Sequence, residues 1–397
     1  MSGGTDVKMR AHQSFTTSLF HNVSGNPMES PFYYQGHSAT PLYAFDQLRV
    51  EPKLDNNNLS NFELDKDDDM IGRVQLVWTR GPLTVGGSTY RRYVDYLAYA
   101  EIEEIRVRYG NNFLQTIHGE DLFLYRQFRF DYEDELSEDV RVAGGLTSAE
   151  RDTVATADQE LILDVPLFWT SNPRKYFPIK AMGFELDIEI KWKSADSFIQ
   201  SDGGGAITSD RSDVHLICWY YRLGTTERNH LTQRIFSDDG VAYLIDVIER
   251  QKKEVITVPP AGQYRSIKLD NPISESAGIF FYVRIASEAQ DRDPANFRAW
   301  ENLQPIVRFS VVANNRTIWD ATNDKFARFC INPMYFKGTP GQYIYFIPFG
   351  LDIQDRDNNW GSKPLSQFNN LRLLIEPQQL PAVDLEVDIF SYVRNIF

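Results

Sequence analysis

The sequence predicts an all-β protein built from two copies of one antiparallel sandwich. Apolar and β-branched residues occur in short runs bounded by Gly, Pro, Asn and Asp, and several runs alternate polar and apolar residues with a period of two. The order of these runs also repeats along the chain. Since no long amphipathic helix separates them, a sandwich or barrel is favoured over a mixed fold.

Composition sets the outer limits of this fold. The 397 residues suffice for two domains, and 26 Phe, 20 Tyr and 7 Trp supply material for two cores. No apolar run reaches the roughly 20 residues of a membrane-spanning helix. The net charge is −14, so direct contact with nucleic acid is not expected. We interpret the acidic clusters Asp65–Asp69 and Asp131–Asp139 as solvated loops.

Alternation identifies the strands in order. In residues 183–193, apolar side chains at every second position oppose Glu, Asp and Lys, which is typical of a strand with one buried face. Residues 104–110 and 383–389 show the same pattern. Apart from the second strand of each hairpin, the predicted strands are 72–79, 104–110, 160–169, 183–193, 214–223, 264–269, 278–286, 306–313, 343–351, 369–376 and 383–389.

Two hairpins are the clearest part of the internal repeat. Residues 104–125 and 308–329 each contain a strand, a turn, a second strand and an aromatic segment suited to short helical turns. The turns carry Gly110-Asn111 in the first copy and Asn314-Asn315 in the second. Gly and Asn tolerate the positive φ that a tight hairpin requires.

Each hairpin is followed by an aromatic strand that contains proline. Residues 162–173 include Pro166, Phe168 and Trp169, and residues 343–354 include Pro348 and Phe349. These side chains could line a ligand groove. Because proline is tolerated at strand edges and bulges, and aromatics fill sandwich cores, we favour core packing.

The repeat, and not the Gly-rich stretch at 203–205, decides the domain division. Residues 213–226 close the first copy as 383–395 close the second, so the glycines are expected to form a loop within one sandwich. The predicted organisation is an N-terminal arm at 1–27, a first sandwich at 28–226, a connection with room for a short helix at 227–251, and a second sandwich at 252–397.

No catalytic or metal-binding motif is found. The six histidines lack metal-ligand spacing, and the two cysteines are isolated in sequence. The group His118-Gly119-Glu120-Asp121 is interpreted as the acidic first turn of a helix. Gly361-Ser362-Lys363 lacks the other residues of a phosphate-binding loop and is interpreted as a turn. We therefore predict neither an enzyme nor a cofactor.

The order of several segments resembles one viral family. DYLAYAEIEEIRVRYGNNFLQTIHGEDL (95–122), VPLFWTSNPRKYFPIKAMGFELDIEIKW (165–192), GQYIYFIPFGL (341–351) and NNWGSKPLSQFNNLRLLI (358–375) are similar to the double jelly-roll major capsid proteins of nucleocytoplasmic large DNA viruses and virophages. The resemblance extends over about 90–397. It implies two consecutive eight-stranded jelly-roll sandwiches, with Gly110, Asn111, Pro166, Phe168, Trp169, Asn314, Asn315, Pro348, Phe349 and Gly361 as structural motif positions.

The same resemblance implies a role in the virion, assembled inside the host cell. Family members form homotrimeric capsomers of pseudo-hexameric outline in an icosahedral shell, with minor capsid or penton proteins as partners. The arm at 1–27 is then expected to order against neighbouring capsomers, minor proteins or an internal membrane. Two other functions stay open: a carbohydrate-binding or hydrolytic β-sandwich, and a minor capsid or spike protein.

Overall fold

The structure is a computed structural model. It describes residues 43–88, 90–94, 96–129, 148–170, 176–201, 205–225, 228–229, 232–233, 244–257, 262–269, 275–285, 306–314, 316–336, 344–350, 361–368, 370–378 and 384–396.

The first half of the chain forms one sandwich of two antiparallel sheets and, in its loops, two further sheets of two strands each. Its strands are β1 Tyr43–Val50, β2 Leu54–Asp55, β3 Leu59–Glu63, β4 Met70–Arg80, β5 Thr84–Val85, β6 Arg91–Tyr93, β7 Ile102–Tyr109, β8 Asn112–His118, β9 Gln159–Asp164, β10 Leu186–Trp192, β11 Ile199–Ser201, β12 Ile207–Thr208 and β13 Arg211–Leu223. One sheet of the sandwich has the order β1, β13, β4, β9, and the other has β2, β3, β10, β7, β8. The two-stranded sheets pair β6 with β11 and β5 with β12.

The second half repeats this arrangement. Its strands are β14 Leu244–Thr257, β15 Arg265–Lys268, β16 Glu275–Ile285, β17 Ile306–Ala313, β18 Arg316–Asn323, β19 Ile344–Pro348, β20 Lys363–Pro364, β21 Arg372–Pro377 and β22 Asp384–Ile396. One sheet has the order β14, β22, β16, β19, with β20 also paired to β16, and the other has β15, β21, β17, β18.

Both halves therefore share one topology. When the short strands β2, β5, β6, β11, β12 and β20 are set aside, the described part of each half has eight strands. The first, eighth, third and sixth strands form one sheet, and the second, seventh, fourth and fifth form the other. This pairing is the jelly roll, so the predicted double jelly roll is confirmed.

Aromatic side chains fill the space between the sheets. In the first sandwich, Trp78 of β4 and Trp192 of β10 meet edge to face, with ring centroids 5.4 Å apart. In the second, Phe281 of β16 and Phe309 of β17 make the same kind of contact at 4.9 Å. Such contacts connect the two sheets of each sandwich directly and add to the burial of apolar area.

Helices are short and occur in the loops, as predicted. They are α1 Leu97–Glu101, α2 Gly119–Arg129, α3 Ser148–Val154, α4 Asp324–Phe326, a π-helix at Ala327–Ile331 and α5 Asn332–Tyr335, with 3₁₀ turns at Ile179–Ala181, Ala195–Ser197 and Leu365–Gln367. None of the helices in the described ranges combines the length and the apolarity needed to cross a membrane.

The segment between the sandwiches differs in one respect from the sequence analysis. Among the described residues of the predicted connection at 227–251, Arg228, Asn229, Thr232 and Gln233 are helical. Residues 244–251, however, already belong to β14. The sequence did not predict this part of the strand because the run around Arg250 and Lys252 is polar. The register of β14 also shifts between these two residues, which interrupts the alternation of buried and exposed positions. The arm at 1–27 lies outside the described residues.

Candidate functional site at the junction of the two sandwiches

The two predicted hairpin turns lie at equivalent places in the two sandwiches. Gly110 and Asn111 form the turn between β7 and β8, and Gly110 has φ +55°. The Gly110 amide donates a hydrogen bond to the Glu185 carbonyl at 3.2 Å, which ties the turn to the segment before β10. Asn314 has φ +50° in the turn between β17 and β18, whereas Asn315 lies outside the described residues.

The aromatic motif of the first sandwich is buried. Phe168 and Trp169 are almost fully inaccessible to solvent. Gln115 of β8 holds the segment in place, because its amide group donates to the Pro166 carbonyl at 3.3 Å and its oxygen accepts from the Phe168 amide at 2.8 Å. Trp169 Nε1 donates to the Gly72 carbonyl at 3.0 Å. The buried polar groups of this motif are thus paired.

The corresponding motif of the second sandwich is half-buried. Pro348 ends β19 opposite Gly278. The Phe349 amide donates to the Ala277 carbonyl at 2.8 Å, and Lys363 Nζ lies 5.0 Å from the centre of the Phe349 ring. Gly361 has φ +111°, a conformation that side chains other than glycine rarely adopt.

Between the sandwiches, α2 packs against β14. The Tyr125 hydroxyl accepts a hydrogen bond from the Ile248 amide at 2.7 Å and donates to the Ile248 carbonyl at 3.3 Å. Arg250 Nη2 contacts Glu120 at 3.1 Å and Asp121 at 2.9 Å. Because β14 is an edge strand, these contacts satisfy backbone groups that no neighbouring strand pairs.

Burial alters the ionisation of the groups at this junction. It raises the pKa of Asp121 to about 6, although the Arg250 guanidinium and the His118 amide act in the opposite direction. Burial also works against the charge of Arg250, but Asp121 and the other nearby acidic groups leave the Arg250 pKa above its ordinary value. The pKa of His118 is lowered by burial and by Arg250, and that of Glu249 is raised by burial.

The His118 to Asp121 group has the helix-starting role expected from the sequence. Asp121 accepts a hydrogen bond from the His118 amide at 3.0 Å, at the beginning of α2. A side chain at Gly119 would collide with the carbonyl oxygens of Tyr99 and Ile102, so only glycine fits there. The sequence did not indicate that Asp121 also joins the sandwiches, since its partner Arg250 is 129 residues away.

A cleft of about 390 Å³ opens beside this junction. Gln115, His118 and Phe168 line it from the first sandwich, and Val247, Glu249 and Arg250 line it from the second. In the described ranges, His, Cys, Asp and Glu nowhere form a group of three or more that could hold a metal ion. Because residues of both sandwiches line the cleft, we describe it as part of the contact between them.

Three charged residues are buried inside the first sandwich and were missed by the sequence analysis. Glu101 forms ion pairs with Arg80 and, at 3.7 Å, with Arg211. It also accepts a hydrogen bond from Trp78 Nε1 at 3.0 Å, and the Arg211 guanidinium lies 4.0 Å from the centre of the Trp192 ring. The local sequence around Glu101, at the end of α1, does not indicate this cluster, because the partners of Glu101 come from strands that are distant in sequence.

The acidic cluster at 65–69 is not simply a solvated loop, which corrects our interpretation. Asp68 and Asp69 are buried. Asp68 pairs with Arg222, and Asp69 accepts hydrogen bonds from the Leu223 amide at 2.8 Å and from Arg228 Nη2 at 2.9 Å. Here the carboxylates hold the end of β13 and the start of the following segment. The cluster at 131–139 lies outside the described residues.

Comparison with known proteins identifies a family that resembles the first sandwich. Residues 42–222 match the family model of the major capsid protein N-terminus, a range that contains nearly the whole first sandwich. Over this range the chain is similar to the N-terminal part of major capsid proteins. This similarity is in line with the expected role as a structural protein of the virion shell. No curated protein sequence matches the chain.

Solved capsid structures share the fold of this chain over almost its whole length. A chain of the PBCV-1 virus capsid superposes with a TM-score of 0.69 over 92% of this chain and 96% of its own, at 14% identity. The Faustovirus major capsid protein gives 0.71 over 99% and 97%, at 10% identity. A chain of the Sputnik virophage gives 0.59 over 91% and 88%, at 10% identity.

Proposed function

We propose that this chain is a major capsid protein and that three copies of it form a homotrimeric capsomer of pseudo-hexameric outline, the unit of an icosahedral shell. The observation that carries the proposal is the identical strand pairing of the two sandwiches within one chain. Three chains would supply six units of one topology, which can occupy a ring with nearly sixfold outline.

The junction between the sandwiches supports this arrangement. Tyr125 caps the edge of β14, and Arg250 joins β14 to Glu120 and Asp121. A charged pair buried together with hydrogen bonds holds a defined orientation because other orientations leave the charges unpaired. A chain whose two halves keep one orientation can serve as a building block of constant shape.

Sedimentation velocity and negative-stain microscopy of the purified full-length chain test the proposal. We expect a single species with the mass of three chains and particles of hexagonal outline, with contacts in the obligate range of roughly 2,000 Å² or more. A monomer that binds glycans would overturn the proposal and favour the alternative of a carbohydrate-binding sandwich.

We further propose that the capsomer contacts neighbouring capsomers and minor capsid or penton proteins, and that the arm at 1–27 orders against these proteins or against an internal membrane. The arm's Lys8 and Arg10 make it less acidic than the rest of the chain. With a net charge of −14, the chain is not expected to bind nucleic acid directly.

A further inference from the structure

The contact of α2 with β14 has a counterpart in the second sandwich that is left uncovered. Residues 104–125 and 308–329 are equally long and contain the same succession of strand, turn and strand. Aligning them end to end places Phe329 at the position of Tyr125. Tyr125 is buried on β14, whereas Phe329 is 70% exposed.

Phe329 is part of a wider apolar surface. It lies in the helical segment 324–335, formed by α4, the π-helix and α5. In this segment Phe326 is 52% exposed and Met334 is 74% exposed. Three large apolar side chains exposed in one short segment are typical of an interaction surface, because single exposed apolar residues are usually scattered.

The strand equivalent to β14 is β1, and its outer edge is open among the described residues. β1 is the edge strand of its sheet, with β13 as its one described ladder partner. The closing strands β13 and β22 are equally long, and aligning them end to end matches Trp219 with Tyr392. Gln47 of β1 lies opposite Trp219 and Ile248 of β14 lies opposite Tyr392, so Gln47 is the equivalent of Ile248. Gln47 is exposed, whereas Ile248 is buried beneath Tyr125.

The two sandwiches thus have equivalent edge strands, β1 and β14. They also have equivalent helical segments after the second hairpin strand, namely α2 and the segment 324–335. Among the described residues, one of the two combinations is made within the chain, between α2 and β14. A long edge strand without a cover is a site for unwanted pairing, and proteins usually cover it. The exposed segment 324–335 of one chain has the apolar side chains needed to cover β1 of another.

We propose that the segment 324–335 of one chain packs on the outer edge of β1 of a second copy, with Phe329 at the place that Tyr125 occupies within the chain. This inference rests on the proposed trimer and identifies its contact. The contact is heterologous, because the two surfaces differ, and three such contacts close a ring.

The contact between chains is expected to be more apolar than the one within the chain. Phe329 has no hydroxyl group to bond the strand edge. Lys325 stands where Asp121 does, and Asp324, at the position of Glu120, is already paired with Arg328 at 2.6 Å and with the Tyr345 hydroxyl at 2.6 Å. The surface therefore relies on Phe326, Phe329 and Met334, whose burial would stabilise the trimer by the hydrophobic effect.

Phe329→Asp in the full-length chain tests the surface. We expect the melting temperature of the isolated chain to be nearly unchanged, since the side chain is exposed, and the trimer to dissociate at least tenfold more readily in sedimentation experiments because a charge would be buried at the contact. Phe184→Asp is the matched control: Phe184 is 65% exposed on the first sandwich and should leave the trimer intact.

A cross-link tests the position directly. Cys330 is exposed next to Phe329, so Gln47→Cys adds a thiol at the proposed partner position. A short bis-maleimide should join chains of this variant into covalent dimers and trimers, whereas Phe184→Cys should not be joined. If the wild type is a trimer, the Phe329→Asp variant stays trimeric and the Gln47→Cys variant forms no cross-link, this contact alone is refuted. A wild-type monomer would refute the trimer itself.

Discussion

At the scale of single residues, buried charge stabilises the first sandwich only as a complete set. Glu101 is fully buried between Arg80 and Arg211, and Trp78 donates to it. Burial lowers the pKa of Arg211, and the charge of Glu101 opposes this effect. Removing the carboxylate would leave two cations near each other in the core, which is far more costly than losing an exposed ion pair.

Glu101→Ala is therefore expected to lower the free energy of unfolding by about 3 to 5 kcal/mol. Chemical denaturation measures the loss. Glu254→Ala is the control, because the Lys252–Glu254 pair lies near the surface and should contribute less than about 1 kcal/mol. Equal effects of the two substitutions would show that the buried group is not needed for stability.

Asp121 should make the stability of the protein depend on pH. Its pKa rises from 3.8 to about 6 in the folded protein, so the folded state binds the proton more tightly than the unfolded state. The resulting stabilisation is complete below the lower value and is lost as the pH rises through the upper one. Arg250, Glu120 and the His118 amide face the carboxylate.

Denaturation of wild type and Asp121→Asn between about pH 4 and about pH 7 measures this effect. The free energy of unfolding of the wild type, relative to the variant, should fall as the pH rises over that interval, because asparagine does not titrate. A difference between the two proteins that stays constant with pH would contradict the raised pKa.

At the scale of elements, pairing partners decide where the first sandwich ends. The Gly-rich stretch at 203–205 lies between β11, which pairs with β6, and β12, which pairs with β5. β13 follows and pairs with β1 and β4. We propose on this basis that the chain divides after about residue 226, and that the glycines belong to a loop of the first sandwich.

Limited proteolysis tests this division. Cleavage at about residues 200–210 should leave the two fragments associated in gel filtration, because β13 stays paired to strands on the other side of the cut. Cleavage between β13 and β14 should instead leave each sandwich complete. Separation of the fragments into two stable domains after the first cut would refute the proposed boundary.

At the scale of the whole molecule, assembly is expected to depend on two different parts of the chain. The two sandwiches are expected to provide the contacts of the proposed trimer. The arm at 1–27 has many Gly, Ser, Thr and Asn residues and no sustained periodicity, so the sequence predicts that it does not fold alone. Its proposed role lies in contacts beyond the trimer.

Deleting residues 1–27 should leave a soluble trimer with a nearly unchanged melting temperature but reduce the yield of complete shells. Sedimentation measures the first outcome, and particle counting by electron microscopy measures the second. A deletion variant that becomes monomeric would place the arm in the trimer contact, and one that assembles normally would leave the arm without the proposed role.

The sequence by itself determined the fold class and the repeat. Alternation in 183–193 predicted β10, and the Gly110-Asn111 and Asn314-Asn315 turns marked equivalent hairpins, because strand period and turn chemistry depend on neighbouring residues. The polar middle of β14 hid that strand. The pairing of β14 with β22 shows that this segment is a strand, although its own sequence pattern does not predict one.

Only the tertiary structure decided which polar residues are buried and which elements meet. Glu101 lies beside Arg211, and Tyr125 caps Ile248 across 123 residues of chain. Asp68 and Asp69 belong to an acidic segment with the composition of a solvated loop, yet they are buried against Arg222 and Leu223. The energy of such contacts depends on distance and burial in the folded chain, and these leave no periodic trace in the local sequence.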